Sequence, residues 1–245
     1  MAASAFPTVR AYEPAYAYET AVIVQDGIRR MYGDQTHRGL YYVTLHNDNY
    51  ENPPIPDDPG VPQGIVDGIY LVRRGEERTD ERRVQLFGSG AILPGVLRAA
   101  DILRDAYDVA ADVWSVTSYK QLREDAMVAD RWNRLHPDAE PRGCHLLRSL
   151  AGVQGPFVAA SDNVALVPEQ IQPWLPERLW ALGTDGFGRS DTRERLRRHF
   201  EVDAPSVVVT ALHALAAQQR VDKALVTQAM KDLDVDPDQA DSLFA

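Results

Sequence analysis

The chain has 245 residues, with 36 acidic against 26 basic side chains and a formal net charge of −10. Its 44% hydrophobic content is typical of a globular protein, and its single cysteine excludes a disulfide framework and a cysteine-based metal site. The acidic balance argues against binding to nucleic acid, which requires a basic face. Because no run approaches about 18 apolar residues and no secretory signal is visible, we expect a cytoplasmic protein without a membrane span.

The N-terminal fifty residues predict one helix and one strand. The segment 17–32 has the spacing of an amphipathic helix with one buried face, and Gly33-Asp34 is expected to end it. The face is formed by Ala21, Val24, Ile28 and Met31. The β-branched and aromatic run 40–45 predicts a strand.

A proline-rich stretch follows and suggests a domain boundary near residues 53–80. Residues 52–63 include five prolines, which fix φ and remove hydrogen-bond donors, so we expect neither helix nor sheet interior there. The charged stretch 73–83 is interpreted as an exposed loop or a hairpin tip.

The rest of the chain alternates predicted strands with predicted helices. Strands are expected at 84–87, 112–117, 157–160 and 179–182, and helices at 94–107, around 167–174, within 207–217 and near 223–233. The helix 94–107 has an apolar face formed by Val96, Ala100, Leu103 and Tyr107. This alternation indicates an α/β domain with parallel strands joined by right-handed crossovers.

The glycine-rich segment 183–191, GTDGFGRSD, allows two interpretations. Glycines after a strand can present backbone N–H groups to an anion, but Asp185 and Asp191 would repel a phosphate. Asp191 with Glu194 fits the start of a helix instead, and we favour this structural interpretation. Arg189 is the residue of this segment that could meet an acidic partner. The following basic helix predicts a solvated or interface face, and its basic residues are Arg193, Arg195, Arg197, Arg198 and His199.

None of the six histidines forms a metal-ligand pair, so we expect no metal site. They are His37, His46, His136, His145, His199 and His213. His213 lies in an apolar helix and is expected in the core. His46 follows a strand, as do Asn47, Asp48 and Asn49, where a cleft residue and a polar turn are both open. Cys144 and His145 are adjacent, which disfavours a catalytic pair.

Seven long motifs, in order and across nearly the whole chain, resemble the homodimeric-type E1 component of pyruvate dehydrogenase. They are YEPAYAYETAVIVQDGIRRMYG (12–33), YYVTLHNDNYENPPIP (41–56), GIVDGIY (64–70), QLFGSGAIL (85–93), DVWSVTSYKQL (112–122), DRWNRLHP (130–137) and LGTDGFGRSDTRERLRRHFEVDA (182–204). More distantly, PAxxxE at 14–19 and GxDxFGxS at 183–190 resemble transketolase.

The resemblance implies an enzyme that uses thiamine diphosphate and Mg²⁺, decarboxylates pyruvate and transfers the acetyl unit to the lipoyl group of an E2 acyltransferase. It implies three segments: the end of a pyrimidine-binding α/β domain at 1–52, a linker with a charged loop at 53–83, and a transketolase C-terminal-like domain at 84–245. The last is expected to be an α/β domain with a mostly parallel sheet flanked by helices.

The family's acidic GDG motif, its catalytic glutamate and its HxDGxSH segment are not found in this sequence. We therefore expect no catalytic, cofactor-binding or metal residue here, and inactivity of the chain in isolation. A partner chain with the diphosphate- and pyrimidine-binding domains is expected to bind thiamine diphosphate and Mg²⁺, and a lipoyl-E2 is a further implied partner. Asn47 and Asn49 match the family segment that approaches the substrate channel, and they are the channel candidates.

The resemblance thus predicts a C-terminal subunit or fragment of an E1-like enzyme that needs a partner chain and forms an oligomer. The alternatives are a non-catalytic oligomerisation or regulatory domain, and a subunit of a split transketolase-like carboligase in specialised metabolism. An anion-binding module built on residues 183–190 is the least favoured interpretation, because of the acidic residues there.

Overall fold

The computed structural model describes residues 2–33, 39–47, 49–77 and 81–244. The predicted helix end at Asp34, together with His37 and Asp48, lies outside the described residues, as do residues 78–80 of the charged stretch.

The strands of the described residues form two sheets. The strands are β1 (Val9–Tyr12), β2 (Leu40–Val43), β3 (Tyr70–Arg73), β4 (Arg83–Gly88), β5 (Ala110–Ser115), β6 (Phe157–Ala160) and β7 (Leu179–Leu182). One sheet pairs β1 with β2 in parallel. The other has the order β3-β5-β4-β6-β7, in which β3 is antiparallel to β5 and every other pair is parallel.

Helices connect the strands and cover both faces of the larger sheet. They are α1 (Ala17–Ile28), α2 (Val61–Asp67), α3 (Leu93–Tyr107), α4 (Tyr119–Leu135), α5 (His145–Ser149), α6 (Leu166–Glu169), α7 (Arg193–His199), α8 (Ala204–Ala217) and α9 (Lys223–Asp232). Short 3₁₀ turns occur at Ala2–Ala5, Gly90–Ile92 and Gln172–Trp174, and a π-helical turn at Arg29–Gly33 extends α1.

The predicted α/β domain with a mostly parallel sheet is confirmed. The predictions at 157–160 and 179–182 coincide with β6 and β7, whereas β5 begins two residues before the predicted strand 112–117. The hairpin alternative for residues 73–83 is wrong, because β3 pairs with β5 rather than with the next strand, β4. That alternative assumed that neighbours in sequence are neighbours in the sheet.

Two layers of apolar side chains hold the domain together. On one face of the sheet, α3 and α8 bury Val96, Leu103, Val208 and Leu212, and α9 packs onto α8. On the other face, α4 and α5 bury Leu122 and Leu146 against the aromatic rings of the strands. The predicted apolar face of α3 is confirmed as buried: Val96, Ala100, Leu103 and Tyr107.

The predicted buried face of α1 is wrong. Val24 is 48% exposed and Ile28 58% exposed, and Ala21 is exposed as well. The helix instead buries its other side, which carries Glu19, Ile23, Asp26 and Gly27. Periodicity correctly found an apolar stripe on α1, but it contains no information about whether any element of this chain covers that stripe.

Three local expectations also need correction. Residues 61–63 begin α2, because Pro62 lies in the first helical turn, where a missing N–H costs nothing. The cap of α7 is Thr192, whose side chain accepts from the Arg195 N–H, rather than Asp191. His213 is exposed, not a core residue, since it lies on the outer side of α8 with its ring edge-on to Trp180.

One segment, Arg193–Ala217, is long and apolar enough by composition to cross a membrane. The structure divides it into α7 and α8, separated by residues 200–203, with Glu201 in the left-handed region at φ 56°. Most of α8 is buried against the sheet and α3, which accounts for its apolar composition as a core helix.

Candidate functional site

The larger sheet has a topological switch point between β4 and β6. From β4 the chain passes through α3 to β5 on one side, and β6 lies on the other side of β4. In doubly wound sheets the crevice outside the carboxyl ends of such strands is the usual position of a ligand. Here the two loops at that crevice are tied together, because the Ser89 hydroxyl donates to the Ser161 Oγ at 3.0 Å.

Glu13, from the segment after β1, fills part of this crevice. Its backbone carbonyl accepts from the Gly90 N–H at 3.1 Å, and its Oε1 accepts from the Asn163 Nδ2 at 2.6 Å. Its Oε2 is buried and has no hydrogen-bond partner among the described residues. Burial raises the pKa of the Glu13 carboxyl, the Asn163 hydrogen bond opposes this, and the charge of Asp162 adds to it. The N-terminal segment therefore packs against the loops at the carboxyl ends of β4 and β6.

A cavity of about 250 Å³ lies at the switch point. We call it the switch-point cavity. Its polar lining consists of His46, Asn47, Asp162, Thr184, Arg193 and Arg197. Its apolar lining consists of Ala91, Ile92, Leu196, Phe200 and Val202. Residues from the end of β2, from the loops after β4, β6 and β7, and from α7 to α8 thus converge on one space.

His46 and Asp162 face each other across this cavity. The His46 Nδ1 lies 3.6 Å from the Asp162 Oδ2, an ion pair whenever the imidazole is protonated. The His46 Nε2 is buried without a hydrogen-bond partner among the described residues. Gly90, at φ +50°, makes room for the ring, since a Cβ there would come within 2.9 Å of the Nε2. The pair places an imidazole and a carboxylate, two groups that can form hydrogen bonds to a ligand, at the wall of this cavity.

The two channel candidates are both exposed, and only one of them lines the cavity. Asn47 lines the switch-point cavity, and its backbone carbonyl accepts from the Arg193 Nη2. Asn49 is exposed and is not part of the cavity lining. Arg193 and Arg197, which share a face of the predicted basic helix, both reach the cavity.

Sequence reasoning missed Asp162 and Thr184. Both follow strands that were predicted, β6 and β7, so the signal was a polar residue within three residues of a strand end, as at His46. That signal does not say which strand ends are neighbours. The strand order supplies this information, and it places the ends of β6 and β7 side by side.

The glycine-rich segment has a packing role in the structure. Gly186 has φ +100°, and a Cβ there would lie 1.9 Å from the Ser242 carbonyl oxygen. Asp185 accepts a hydrogen bond from the Ala165 N–H at 3.0 Å. These contacts support the structural interpretation of residues 183–191, in which the segment joins the end of β7 to the C-terminal residues.

The described residues do not fit thiamine diphosphate and its metal ion. In this part of the chain no three His, Cys, Asp or Glu side chains are grouped in a way that could hold a metal. Glu19 is fully buried and already accepts from two hydroxyls and two backbone N–H groups. The carboxylates at the switch point, Glu13 and Asp162, face side chains of this chain, and a diphosphate placed beside Asp162 would be repelled.

Two known family models match this chain. The family described as "Transketolase-like TK C-terminal domain" matches residues 68–203, and "Pyruvate dehydrogenase E1 component middle domain" matches residues 1–53. The fold and the sequence thus define a transketolase-like α/β protein, and the chain belongs to this family.

Sequence relatives of the chain give a narrower description than the fold family does. The chain is 44% identical over 236 residues to the pyruvate dehydrogenase E1 component of Cupriavidus necator, covering 96% of this chain and 26% of that protein. It is 43% identical over 242 residues to the E1 component of Pseudomonas aeruginosa, covering 98% of this chain and 27% of that protein. The chain therefore aligns with a portion of these E1 components and spans about a quarter of their length.

Two solved structures show the same fold at low sequence identity. Transketolase from Leishmania mexicana has a TM-score of 0.60 and 18% identity, over 90% of this chain and 27% of that one. A split-gene transketolase, described as an inactive β4 tetramer, has a TM-score of 0.52 and 19% identity, over 87% of this chain and 59% of that one.

Proposed function

We propose that this chain is the C-terminal part of a thiamine-diphosphate-dependent, pyruvate dehydrogenase E1-like enzyme. A partner chain carries the diphosphate- and pyrimidine-binding domains and binds thiamine diphosphate and Mg²⁺. The assembled enzyme decarboxylates pyruvate oxidatively and transfers the acetyl unit to a lipoyl-E2. The identity of 44% over 96% of the chain to an E1 component supports this assignment.

The observation that carries the need for a partner is the exposed stripe on α1. Residues 1–53 match the E1 middle domain, yet their described part forms only a two-stranded sheet with one helix. A sheet of two strands is at best marginally stable alone. The outer edge of β1 is covered, since the Val9 N–H donates to the Phe6 carbonyl and the Ala11 carbonyl accepts from the Ser118 hydroxyl, so β2 is the edge to which further strands would be added. Val24 and Ile28 point away from it into solvent. More of the middle domain would cover this stripe and extend the sheet.

The switch-point cavity is the part of the proposed substrate channel that this chain contributes. Asn47 lies in its wall, beside the His46–Asp162 pair. Asn49 is exposed and lies outside the cavity lining, and we assign it to the part of the channel that the partner chain would complete. We further propose that residues 1–52 act with the partner, that 53–83 is the connection, and that 84–245 is the transketolase C-terminal-like domain. The complete enzyme is an oligomer of the cytoplasm.

A second candidate is a subunit of a split transketolase-like carboligase. It is favoured by the fold similarity to a split-gene transketolase whose structure is described as an inactive β4 tetramer. Both candidates need a cofactor-binding partner, and they differ in the acceptor of the two-carbon unit. An assay with a sugar-phosphate acceptor in place of lipoyl-E2 separates them.

Reconstitution tests the proposal. The chain is purified alone and together with a co-expressed chain that ends near HxDGxSH, and decarboxylation of pyruvate is measured with thiamine diphosphate and Mg²⁺. We expect turnover only from the pair. Turnover by the isolated chain would overturn the need for a partner, and assembly without turnover would favour the non-catalytic alternative.

The channel assignment has its own test within the same assay. We expect Asn47→Ala and Asn49→Ala to leave assembly intact and to lower kcat/KM for pyruvate about tenfold, as the loss of one polar substrate contact does. Gln228→Ala, on the exposed side of α9, is the control and should have no effect. Equal activity of all three variants would remove both asparagines from the channel.

A further inference from the structure

A groove rich in arginine runs along α7, on a protein whose net charge is −10. The start of α3, α7 and the turn into α8 form its walls, and its volume is about 1430 Å³. Its charged lining, which defines the basic groove, consists of Arg98, Arg193, Arg195, Arg197 and Arg198 with Glu194 and Asp203. Five guanidiniums against two carboxylates leave a local surplus of three positive charges, although the chain as a whole is acidic.

Some of these arginines hold the walls in place. The Arg198 Nε lies 2.7 Å from the Asp203 Oδ2, which fixes α7 to the start of α8. The Arg197 Nη2 donates to the Ala91 carbonyl at 3.3 Å, which fixes α7 to the turn before α3. The groove is therefore a built feature of several elements and not a single charged helix face.

Other arginines form its outer rim. The Arg195 side chain is 77% exposed, and its contact with Asp191 is long, at 3.9 Å. Arg98 on α3 is exposed on the opposite wall. Long cationic side chains on both rims can close on an anionic ligand that lies between them.

The floor of the groove is apolar. Ala91, Ile92, Val202 and Ala204 line it and are buried beneath the rim. Apolar contact at the centre with a charged border is the usual pattern of a protein–protein interface, and complementary charge on the rim directs the partner. The volume also exceeds that of a typical small-molecule pocket, which is about 300–1,000 Å³.

We propose that the basic groove docks an acidic segment of a partner polypeptide. A nucleic acid fits less well, because a duplex or a long strand would meet the acidic remainder of the surface, whereas a short segment meets only the groove. The groove shares Arg193 and Arg197 with the switch-point cavity, so a docked segment lies at its mouth. This proposal does not depend on the proposed enzymatic activity.

Fluorescence anisotropy with a defined probe tests it. The probe is a labelled peptide of alternating glutamate and alanine, about ten residues long, and the full chain is the titrant. We expect saturable binding that weakens steeply between about 0.05 and 0.3 M salt. The same peptide with glutamine in place of glutamate should not bind.

Two charge-reversal variants separate the groove from net charge. Arg98→Glu with Arg195→Glu removes one cation from each rim and should weaken binding about tenfold or more. Arg131→Glu with Arg134→Glu changes the net charge equally on α4, on the other face of the sheet, and should leave binding within about twofold. Thermal unfolding of both variants verifies that they are folded, and Arg98→Gln with Arg195→Gln should give an intermediate effect.

Several outcomes would overturn the proposal. They are no saturable binding of the glutamate peptide, equal binding of the glutamine peptide, and equal weakening by the two charge-reversed pairs. A single-stranded DNA of matched length that binds more tightly than the peptide, and loses binding in the groove variant, would instead assign the groove to nucleic acid.

Discussion

The hydroxyl of Ser115 donates a hydrogen bond to the buried carboxyl of Glu19 at 2.6 Å. Ser115 ends β5 in the larger sheet, and Glu19 lies in the first turn of α1. The Tyr70 hydroxyl donates to the same carboxyl at 2.6 Å, and the Tyr16 N–H donates at 3.1 Å. One carboxyl thus connects the N-terminal helix to two strands of the larger sheet, β3 and β5, and this connection explains why α1 packs with that sheet as one unit.

Replacing Glu19 is expected to be strongly destabilising. Glu19→Ala leaves two backbone N–H groups and two hydroxyls buried without their acceptor, so we expect a loss of about 2–4 kcal/mol in the free energy of unfolding. The midpoint of urea unfolding measures this. Glu140→Ala, at an exposed position, is the control and should change stability little. A Glu19→Ala protein as stable as the control would contradict the role of Glu19 as the connecting carboxyl.

The stability of the protein should depend on pH through Glu13. Burial raises the pKa of Glu13 above that of glutamate in the unfolded chain, so the folded state holds this proton more tightly. The contribution of Glu13 to the free energy of unfolding is complete below the ordinary pKa of glutamate. It is lost as pH rises through the raised pKa, by up to about 1.4 kcal/mol per pH unit. Glu13→Gln keeps the hydrogen bond to Asn163 but has no carboxyl proton to release. The free energy of unfolding of this variant should therefore fall less steeply with rising pH than that of the wild type.

Unfolding free energies of the wild type and Glu13→Gln, measured from about pH 4 upward, verify the sign. Burial also raises the pKa of Glu19, which contributes in the same direction in both proteins, so the difference between the two slopes isolates Glu13. A wild type that gains stability relative to Glu13→Gln as pH rises would be the opposite of what we expect.

The exposed stripe on α1 should control association. Val24→Glu with Ile28→Glu places charges on side chains that are 48% and 58% exposed, so the fold should keep its stability while self-association and partner binding decrease. Sedimentation velocity of the isolated chain and co-purification with the partner measure the two effects. Val128→Glu, at a residue 64% exposed on α4, is the matched control and should leave both unchanged. An isolated wild type that is a single monomeric species would argue against an uncovered interface.

The segment 183–191 offers a matched pair of glycines. Gly186→Ala forces a Cβ to within 1.9 Å of the Ser242 carbonyl at a φ of +100°, so we expect a loss of about 1–3 kcal/mol and release of the C-terminal residues to proteolysis. A Cβ at Gly188 meets nothing within 4 Å, so Gly188→Ala should be close to neutral. Thermal unfolding compares them. Equal stability of the two variants would weaken the packing interpretation of this segment.

Much of the C-terminal domain could be predicted from the sequence because its elements have strong, regular patterns. Buried apolar runs gave β6 and β7, and helical spacing gave α3 and α9. The missed elements have weak patterns: β1 and β3 contain arginine within four residues, and α4 is largely polar on its outer side.

The candidate site was predictable only in part. A polar residue after a strand indicated His46 and Asn47, but Asp162 enters the site because β6 lies next to β4. Strand order depends on how helices cover the sheet, which no local pattern records. The exposed face of α1 was mispredicted for a related reason, since the periodicity of a helix does not reveal whether its covering element belongs to the same chain.

The contact between Gly90 and His46 is accessible to a double-mutant cycle. Gly90→Ala places a Cβ 2.9 Å from the His46 Nε2 at a φ of +50°, so it should cost about 2 kcal/mol, of which about 1 kcal/mol is backbone strain. In a His46→Ala background the ring is gone and only the backbone part should remain. We expect a coupling of about 1 kcal/mol between the two substitutions, measured by urea unfolding. This coupling would show that His46, after the end of β2, packs against the switch point. Strictly additive effects would mean that His46 does not occupy the crevice beside Gly90.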